Sequence, residues 1–354
     1  MKRLLGPCAL VACLLLLPGV AEAKKAKPVK TSSVAVTFTV RNTDTSKFAC
    51  PSDGGTYDVK GHLTGPASAL ASTAKAKKKK KKRPKGATLY LHGLGVGEWL
   101  WYFSIPGYNY ALQQAKAGHV SVTVDRLGYG ASGRPDGNQN CIGSQADVAH
   151  QIVQALKSGS YAVASGKPVK FKRVALAGHS AAGEISILEA YSYKDVNALA
   201  IVAFSFSNLP AANTAFGNQR NSCQAGGNPV PGYAFFGQNA TEFQQTFFHS
   251  AVKAVRDAAT PLHPPDPCGN NLSLTDAINQ QAAGARTIKV PAVVICGTND
   301  VLYATFGCDA QAERFGGKDK RSIAIGNAGH GLPLEKTAAK FRKKLGDWLT
   351  KRGF

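Results

Sequence analysis

Arg173-Val-Ala-Leu-Ala-Gly-His-Ser-Ala-Ala-Gly183 is the stretch whose reading decides the fold. A short β-branched and apolar run ends in Gly178-His179-Ser180, and small residues follow. A strand that turns sharply into a helix and lifts one serine out of the backbone has this pattern. The turn holds its serine in a strained conformation, so small neighbours are needed beside it. The usual spacing is Gly-x-Ser-x-Gly. Here Ala182 stands at the fifth position, and the glycine follows at Gly183. Taken alone, the stretch reads equally well as a plain strand–turn–helix joint.

A serine hydroxyl is a poor nucleophile at neutral pH. It needs a base within hydrogen-bond reach, and the base needs a group to orient it. Two downstream runs offer both. Val293-Val-Ile-Cys-Gly-Thr-Asn-Asp300 is an apolar strand, a glycine turn and a carboxylate. Ile323-Ala-Ile-Gly-Asn-Ala-Gly-His330 is an apolar strand ending in Gly-His. Ser180, Asp300 and His330 are thus each expected just beyond the C-terminal end of a strand, the edge where open α/β sheets build their sites. Asp309 falls further along, in a helical stretch, and Asn208 rather than an acid follows the run ending at Phe206. Of the eight histidines, His330 alone combines a strand end, a glycine hinge and the right order. His62 and His119 border strands and read as structural. His150 falls in a helix, and the His179 side chain is expected to point away from Ser180. A third need is a pair of donors for a developing oxyanion. Leu89-Tyr-Leu-His-Gly-Leu-Gly95 runs a strand into His-Gly-x-Gly. The N–H groups of Leu94 and Ala181 are the expected donors, and Ala181 also opens a helix whose dipole favours negative charge.

Apolar runs recur along the chain at Ala87 to Leu91, Val120 to Val124, Val174 to Ala177, Leu199 to Phe204, Val293 to Cys296 and Ile323 to Ile325. Helical patterns lie between them near Ala111 to Ala117, Gln145 to Lys157, Ala181 to Tyr193 and Leu334 to Thr350. Such alternation predicts an α/β fold with a mostly parallel sheet of about eight strands and helices on both faces. Val34 to Val40 and Tyr57 to Leu63 alternate like a hairpin and are expected at one edge. Residues 208–289 break the rhythm with a Gly-, Asn-, Gln-, Pro- and Phe-rich insertion and no visible strand–helix unit. A connection that long predicts a lid or cap, with Phe243, Phe247, Ala251, Val252 and Val255 on one helical face.

The chain has 354 residues, and its start reads as a secretory signal. Lys2 and Arg3 precede the apolar Leu10 to Leu17, and Ala21-Glu22-Ala23 is an Ala-x-Ala cleavage site. Residues 1–23 are therefore expected to be removed, leaving one domain over 24–350 in a secreted, periplasmic or cell-envelope protein. Leu10-Val-Ala-Cys13 resembles a lipoprotein box, but leucines follow Cys13 where a polar tether belongs. The apolar run is shorter than the roughly 18–20 residues a span needs, so an integral membrane protein is not expected. Six cysteines remain after the cut: Cys50, Cys141, Cys223, Cys268, Cys296 and Cys308. They allow up to three disulfides in fifteen pairings, and Cys296 inside its strand is alternatively a buried thiol. No Cys or His spacing fits a metal, and no cofactor is expected. The net charge is +22, of which Lys24 to Lys30 and the run Lys75 to Lys85 supply 13. That run, within a flexible loop over 70–86, lacks interleaved aromatics. It reads as a solvated loop with weak contact to anionic surfaces, not as a nucleic-acid site.

The motifs His92-Gly93-Leu94-Gly95, Asp125-Arg126-Leu127-Gly128-Tyr129-Gly130-x-Ser132, Gly178-His179-Ser180, Gly297-x-x-Asp300 and Gly329-His330 resemble those of the α/β-hydrolase fold enzymes. The resemblance runs from about Ala87 to Trp348 and includes the order serine, acid, histidine. It implies Ser180 as nucleophile, His330 as general base and acid, Asp300 as the orienting carboxylate, and Leu94 and Ala181 as the oxyanion hole. Ala182 departs from the family glycine. A serine at the elbow implies ester, thioester or amide cleavage, with a small-molecule ester the leading expectation. A small-peptide or C–C bond hydrolase and a non-catalytic ligand-binding protein on the same fold are the alternatives. Trp99, Trp101, Tyr102, Phe103, Tyr108 and Tyr110 are expected either to line an acyl pocket or to pack beneath the lid.

Overall fold

A computed structural model describes residues 28–71 and 86–354. The signal sequence over 1–23 and the lysine run from Lys75 to Lys85 lie outside the described residues. In chain order the strands are β1 (Thr31–Arg41), β2 (Thr56–Pro66), β3 (Gly86–Leu91), β4 (Ser121–Val124), β5 (Ala162–Val163), β6 (Arg173–His179), β7 (Ala198–Val202), β8 (Pro229–Val230), β9 (Tyr233–Ala234), β10 (Asp266–Pro267), β11 (Ala292–Gly297) and β12 (Lys320–Ile325). The α-helices are α1 (Ala67–Leu70), α2 (Tyr110–Lys116), α3 (Ile142–Ser158), α4 (Ala181–Tyr193), α5 (Pro210–Gln224), α6 (Ala240–Phe247), α7 (Lys253–Ala259), α8 (Cys268–Ala285), α9 (Thr305–Arg314) and α10 (Ala338–Thr350).

The main sheet has nine strands in the order β12-β11-β7-β6-β3-β4-β2-β1-β5. From β12 to β4 every pairing is parallel. The long β1–β2 hairpin joins β4 antiparallel and ends in the two-residue β5. The central strands β3, β4, β6, β7 and β11 are buried almost throughout, as two covered faces require. Two apolar clusters result, one around Leu89, Val122, Leu176, Ile185, Leu188 and Leu199 and the other around Tyr90, Trp101, Val202, Ile295, Phe341 and Leu345.

Three features differ from the sequence reading. The interval 208–289 does contain a strand–helix unit, because the 18-residue α8 supplies the crossover helix between β7 and β11 and packs on α4. Its polar Asn and Gln residues hid it: buried Asn270, Asn271 and Gln281 are hydrogen-bonded inside the fold rather than facing water. The Phe243 to Val255 face is split between α6 and α7, with extended backbone at Phe248 and Val252 between them. Cys296 is not a free thiol but pairs with Cys308, beside Cys50–Cys141 and Cys223–Cys268. Among the described residues, no helix is long and apolar enough to cross a membrane.

Candidate active site

Ser180 sits between the end of β6 and the start of α4 with φ 54° and ψ −130°, a region that only a constrained turn imposes on a residue with a Cβ. Its N–H donates to the Val202 carbonyl at 2.9 Å, tying the turn to β7. The displaced glycine has a packing reason. A Cβ at Gly183 would come within 2.8 Å of the Phe204 side chain, whereas the Ala182 methyl is buried without disturbing the turn. Gly93 is held just as closely, since a Cβ there would lie 2.6 Å from Ser180 Cβ. The His-Gly-x-Gly turn therefore lies directly against the serine. Leu94 follows Gly93, and Ala181 is the first residue of α4, so both expected oxyanion donors border the contact.

His330 and Asp300 meet in the interior. His330 Nδ1 lies 2.9 Å from Asp300 Oδ2, with side-chain exposures of 2% and 0%. Asp300 Oδ1 accepts the N–H groups of Leu302 at 2.8 Å and Tyr303 at 3.2 Å, which fixes the carboxylate plane. A carboxylate can only accept, so the histidine proton must sit on Nδ1, which leaves Nε2 as the basic nitrogen. The loop from Gly297 to Cys308 that carries Asp300 is closed by the Cys296–Cys308 disulfide. His179 turns inward and is fully buried. Its Nε2–H donates to the His330 carbonyl at 3.0 Å, and the two rings are 4.7 Å apart. Burial, and then the proximity of His330, holds the His179 imidazole well below the usual histidine range, so it is neutral.

The His-Gly-x-Gly turn is braced from behind. Fully buried Arg126 donates to the carbonyls of His92 at 2.7 Å and Gly93 at 3.2 Å, and to Asn270 Oδ1 of α8 at 2.8 Å. His92 Nε2 accepts the Arg126 N–H at 2.9 Å, while its Nδ1 faces the Gly93 carbonyl at 3.0 Å. Burial and the adjacent guanidinium keep His92 neutral. Asp125 accepts from Glu98 N–H and Ala131 N–H, so the Asp125 to Ser132 loop is framework. Of the aromatics after the turn, Trp101, Phe103 and Tyr110 are core residues, with Trp101 packed on Tyr90 and His179. Tyr102 stacks on His62, and Trp99 donates to the Leu262 carbonyl. Packing is therefore the role of Trp101, Phe103 and Tyr110, while the half-buried Trp99 and Tyr102 line a surface cavity with Leu262 and Pro264.

Two buried carboxylates near the site escaped the sequence reading. Asp266 Oδ1 accepts the Gly95 N–H at 2.7 Å, and its Oδ2 accepts from Gln219 at 2.8 Å and Phe236 N–H at 3.3 Å. Burial pushes its carboxyl up to about 6 against those bonds. Glu335 Oε1 accepts His249 N–H at 2.7 Å and Gly329 N–H at 3.1 Å. Its Oε2 accepts Ser250 N–H at 2.6 Å and Ser250 Oγ–H at 2.7 Å. Asp266 is one of only three acids between Asn208 and Pro267, which is the one sequence signal that singles it out. Glu335 gives none.

A search of curated proteins by sequence finds no match. Solved structures share the architecture. An esterase from Thermogutta terrifontis superposes with a TM-score of 0.60 at 15% identity, covering 89% of this chain and 99% of its own. A monoacylglycerol lipase from Paleococcus ferrophilus gives 0.57 at 18%, covering 76% and 95%. An E-2-(acetamidomethylene)succinate hydrolase gives 0.53 at 12%, covering 82% and 96%. At such identities the likeness is one of fold. The sequence model described as the alpha/beta hydrolase family matches residues 89–343, most of the chain, from within β3 into α10, and so includes Gly93, Ser180, Asp300 and His330. The chain belongs to the alpha/beta hydrolase family.

Proposed function

We propose that the chain is a secreted serine hydrolase that cleaves a carboxylic ester through an acyl-enzyme on Ser180. The observation that carries this reading is the buried Asp300–His330 pair at 2.9 Å, which fixes the tautomer a general base needs. Ser180 Oγ attacks the ester carbonyl as His330 Nε2 takes its proton. Asp300 holds the resulting imidazolium without itself being protonated. The N–H groups of Leu94 and Ala181 receive the tetrahedral oxyanion, a contribution of about 10²–10³ in rate per donor. His330 then returns the proton to the leaving alcohol, and the same steps with water release the acid. The strained φ of Ser180 supports the assignment, since such strain persists where surrounding structure over-determines it.

Residues 208–267, ahead of α8, form the lid in this reading. Their apolar side chains Phe243, Phe247 and Phe248 pack against the His330 side of the site, with Phe247 and His330 ring centres 5.8 Å apart. An ester substrate is favoured over a charged one by this apolar surround. Export is supported by three disulfides, which persist in oxidising compartments. The decisive test is labelling of folded protein by a fluorophosphonate probe, followed by a chain-length panel of p-nitrophenyl esters beside aminoacyl anilides. Labelling that maps to Ser180 and is lost in Ser180→Ala supports the reading. Unlabelled protein, or full ester turnover by Ser180→Ala, would overturn it. Faster anilide than ester turnover would reassign the substrate to small peptides.

A further inference from the structure

A second group of chemistry-bearing side chains lies at the far end of α4 from Ser180. Glu189 of α4, His150 of α3 and Asp195 of the loop before β7 converge there. One donor atom from each lies within 4.8 Å of the other two. Glu189 sits nine residues beyond Ser180, about 13 Å along the helix axis, so the group is separate from the hydrolytic site.

The bonding around these residues is incomplete in a specific way. His150 Nδ1 lies 2.9 Å from Asp195 Oδ2, and Gln154 donates to the same oxygen. Asp195 Oδ1 has no hydrogen-bond partner among the described residues. Glu189 is fully buried, and among the described residues neither of its carboxylate oxygens has a hydrogen-bond partner. Two carboxylates that face each other with bare oxygens cannot stay so in a protein interior, where an uncompensated charge is expensive. Something positive must stand between them. Lys157 does not fill the gap, because its ammonium is engaged by the main-chain carbonyl of Asp195. Burial and the facing Asp195 push the Glu189 carboxyl well above the usual range, so a shared proton is the competing filling, but it would serve one Glu189 oxygen and leave the other bare. A cation held by both oxygens would serve all three orphaned atoms at once.

We propose that His150, Glu189 and Asp195 bind one divalent first-row cation, zinc or manganese. The donor set decides the class. An imidazole nitrogen with two carboxylates suits zinc and manganese, whereas calcium and magnesium prefer all-oxygen sites. Two carboxylates offset the ionic charge. Ligands about 2.1 Å from one ion lie no more than about 4.2 Å apart, so only a few tenths of an ångström of closure is required of the observed arrangement. His150 is held for the task by stacking on Tyr193, with ring centres 4.0 Å apart. Partial exposure of His150 and Asp195, 26% and 11%, leaves an entry path and a position for water. Bound there, the ion would join α3, α4 and the strand-entry loop of β7.

The test uses the full chain stripped with a chelator and titrated calorimetrically with zinc chloride and with manganese chloride alone. The expected result is one ion per chain with a Kd below about 10 μM and a melting temperature that rises on loading. Glu189→Gln and His150→Gln should each weaken that binding at least tenfold while near-UV circular dichroism stays unchanged. Absence of saturable binding by either metal would overturn the proposal, as would binding that both variants retain in full. The two carboxylates would then share a proton. If one variant fails to fold, the other carries the comparison, since the two side chains come from different helices.

Discussion

Glu335 should behave as the residue that keeps His330 in place. Its carboxylate accepts three main-chain N–H groups and one hydroxyl, two of them from Ser250 and one each from His249 and Gly329. Gly329 directly precedes His330, and the Gly331 N–H donates to the Phe247 carbonyl at 2.7 Å. One acid thus staples both the loop that carries His330 and the neighbouring segment from Phe247 to Ser250. Glu335→Ala would leave three main-chain donors without partners, each worth about 1–3 kcal/mol when buried. Water can reach His249 and Ser250 but not Gly329, so a loss of about 3–5 kcal/mol is expected. That corresponds to a fall in Tm of roughly 10 °C. Glu335→Gln keeps one acceptor oxygen and turns an amide toward the other donors, so about 1.5–3 kcal/mol should be lost. A base displaced by a fraction of an ångström can cost up to about 10²-fold in rate. In the glutamine variant kcat on p-nitrophenyl esters should therefore fall about 10–100-fold, with KM changed less than about threefold. The assay is steady-state kinetics well below the variant's Tm, beside thermal unfolding. A glutamine variant that melts and turns over like wild type would refute the reasoning. A variant that loses stability yet keeps kcat would reduce Glu335 to a structural staple.

Asp300→Asn should lower kcat about 10⁴-fold while the protein stays folded, because the amide still accepts from Leu302 and Tyr303 but presents N–H to His330 Nδ1 and imposes the wrong tautomer; unchanged kcat would remove Asp300 from the mechanism. Glu184 is fully buried, and desolvation pushes its carboxyl up to about 8 from 4.5. The folded state therefore favours the protonated form, so this stability is complete below pH 4.5 and is lost as pH rises toward 8. At pH 7 the loss is up to about 3 kcal/mol, and Glu184→Gln should recover much of it, read as a smaller decline in Tm between pH 5 and 8 than in wild type; parallel Tm curves would contradict it. Replacing Cys296 and Cys308 by serine opens the short loop that carries Asp300. That should cost about 3 kcal/mol in the chain-entropy account and lower kcat. Undiminished ester turnover in the double variant would show that the loop holds Asp300 unaided.

What the sequence made legible is what local pattern carries. β-Branched runs ending in glycine located β3, β6, β11 and β12. The same runs placed Ser180, Asp300 and His330 at one sheet edge, because each sits within a few residues of its strand. The missed features share a different physics. Glu335 is defined by His249 and Ser250, about 85 positions away, and Asp266 by Gly95 at a separation of 171. A carboxylate that will be buried and satisfied by distant N–H groups looks, in sequence, like one left in water. α8 was hidden in the same way. Its buried Asn270, Asn271 and Gln281 bond to Asn140, Gln219 and Gln311, so polar letters stand where a core helix would be expected to show apolar ones. Polar groups inside a fold are read from their partners, and these partners are brought together only by the sheet. The sequence therefore announces which side chains stand at the strand ends, while the charged framework that holds those ends still appears only once the strands are assembled.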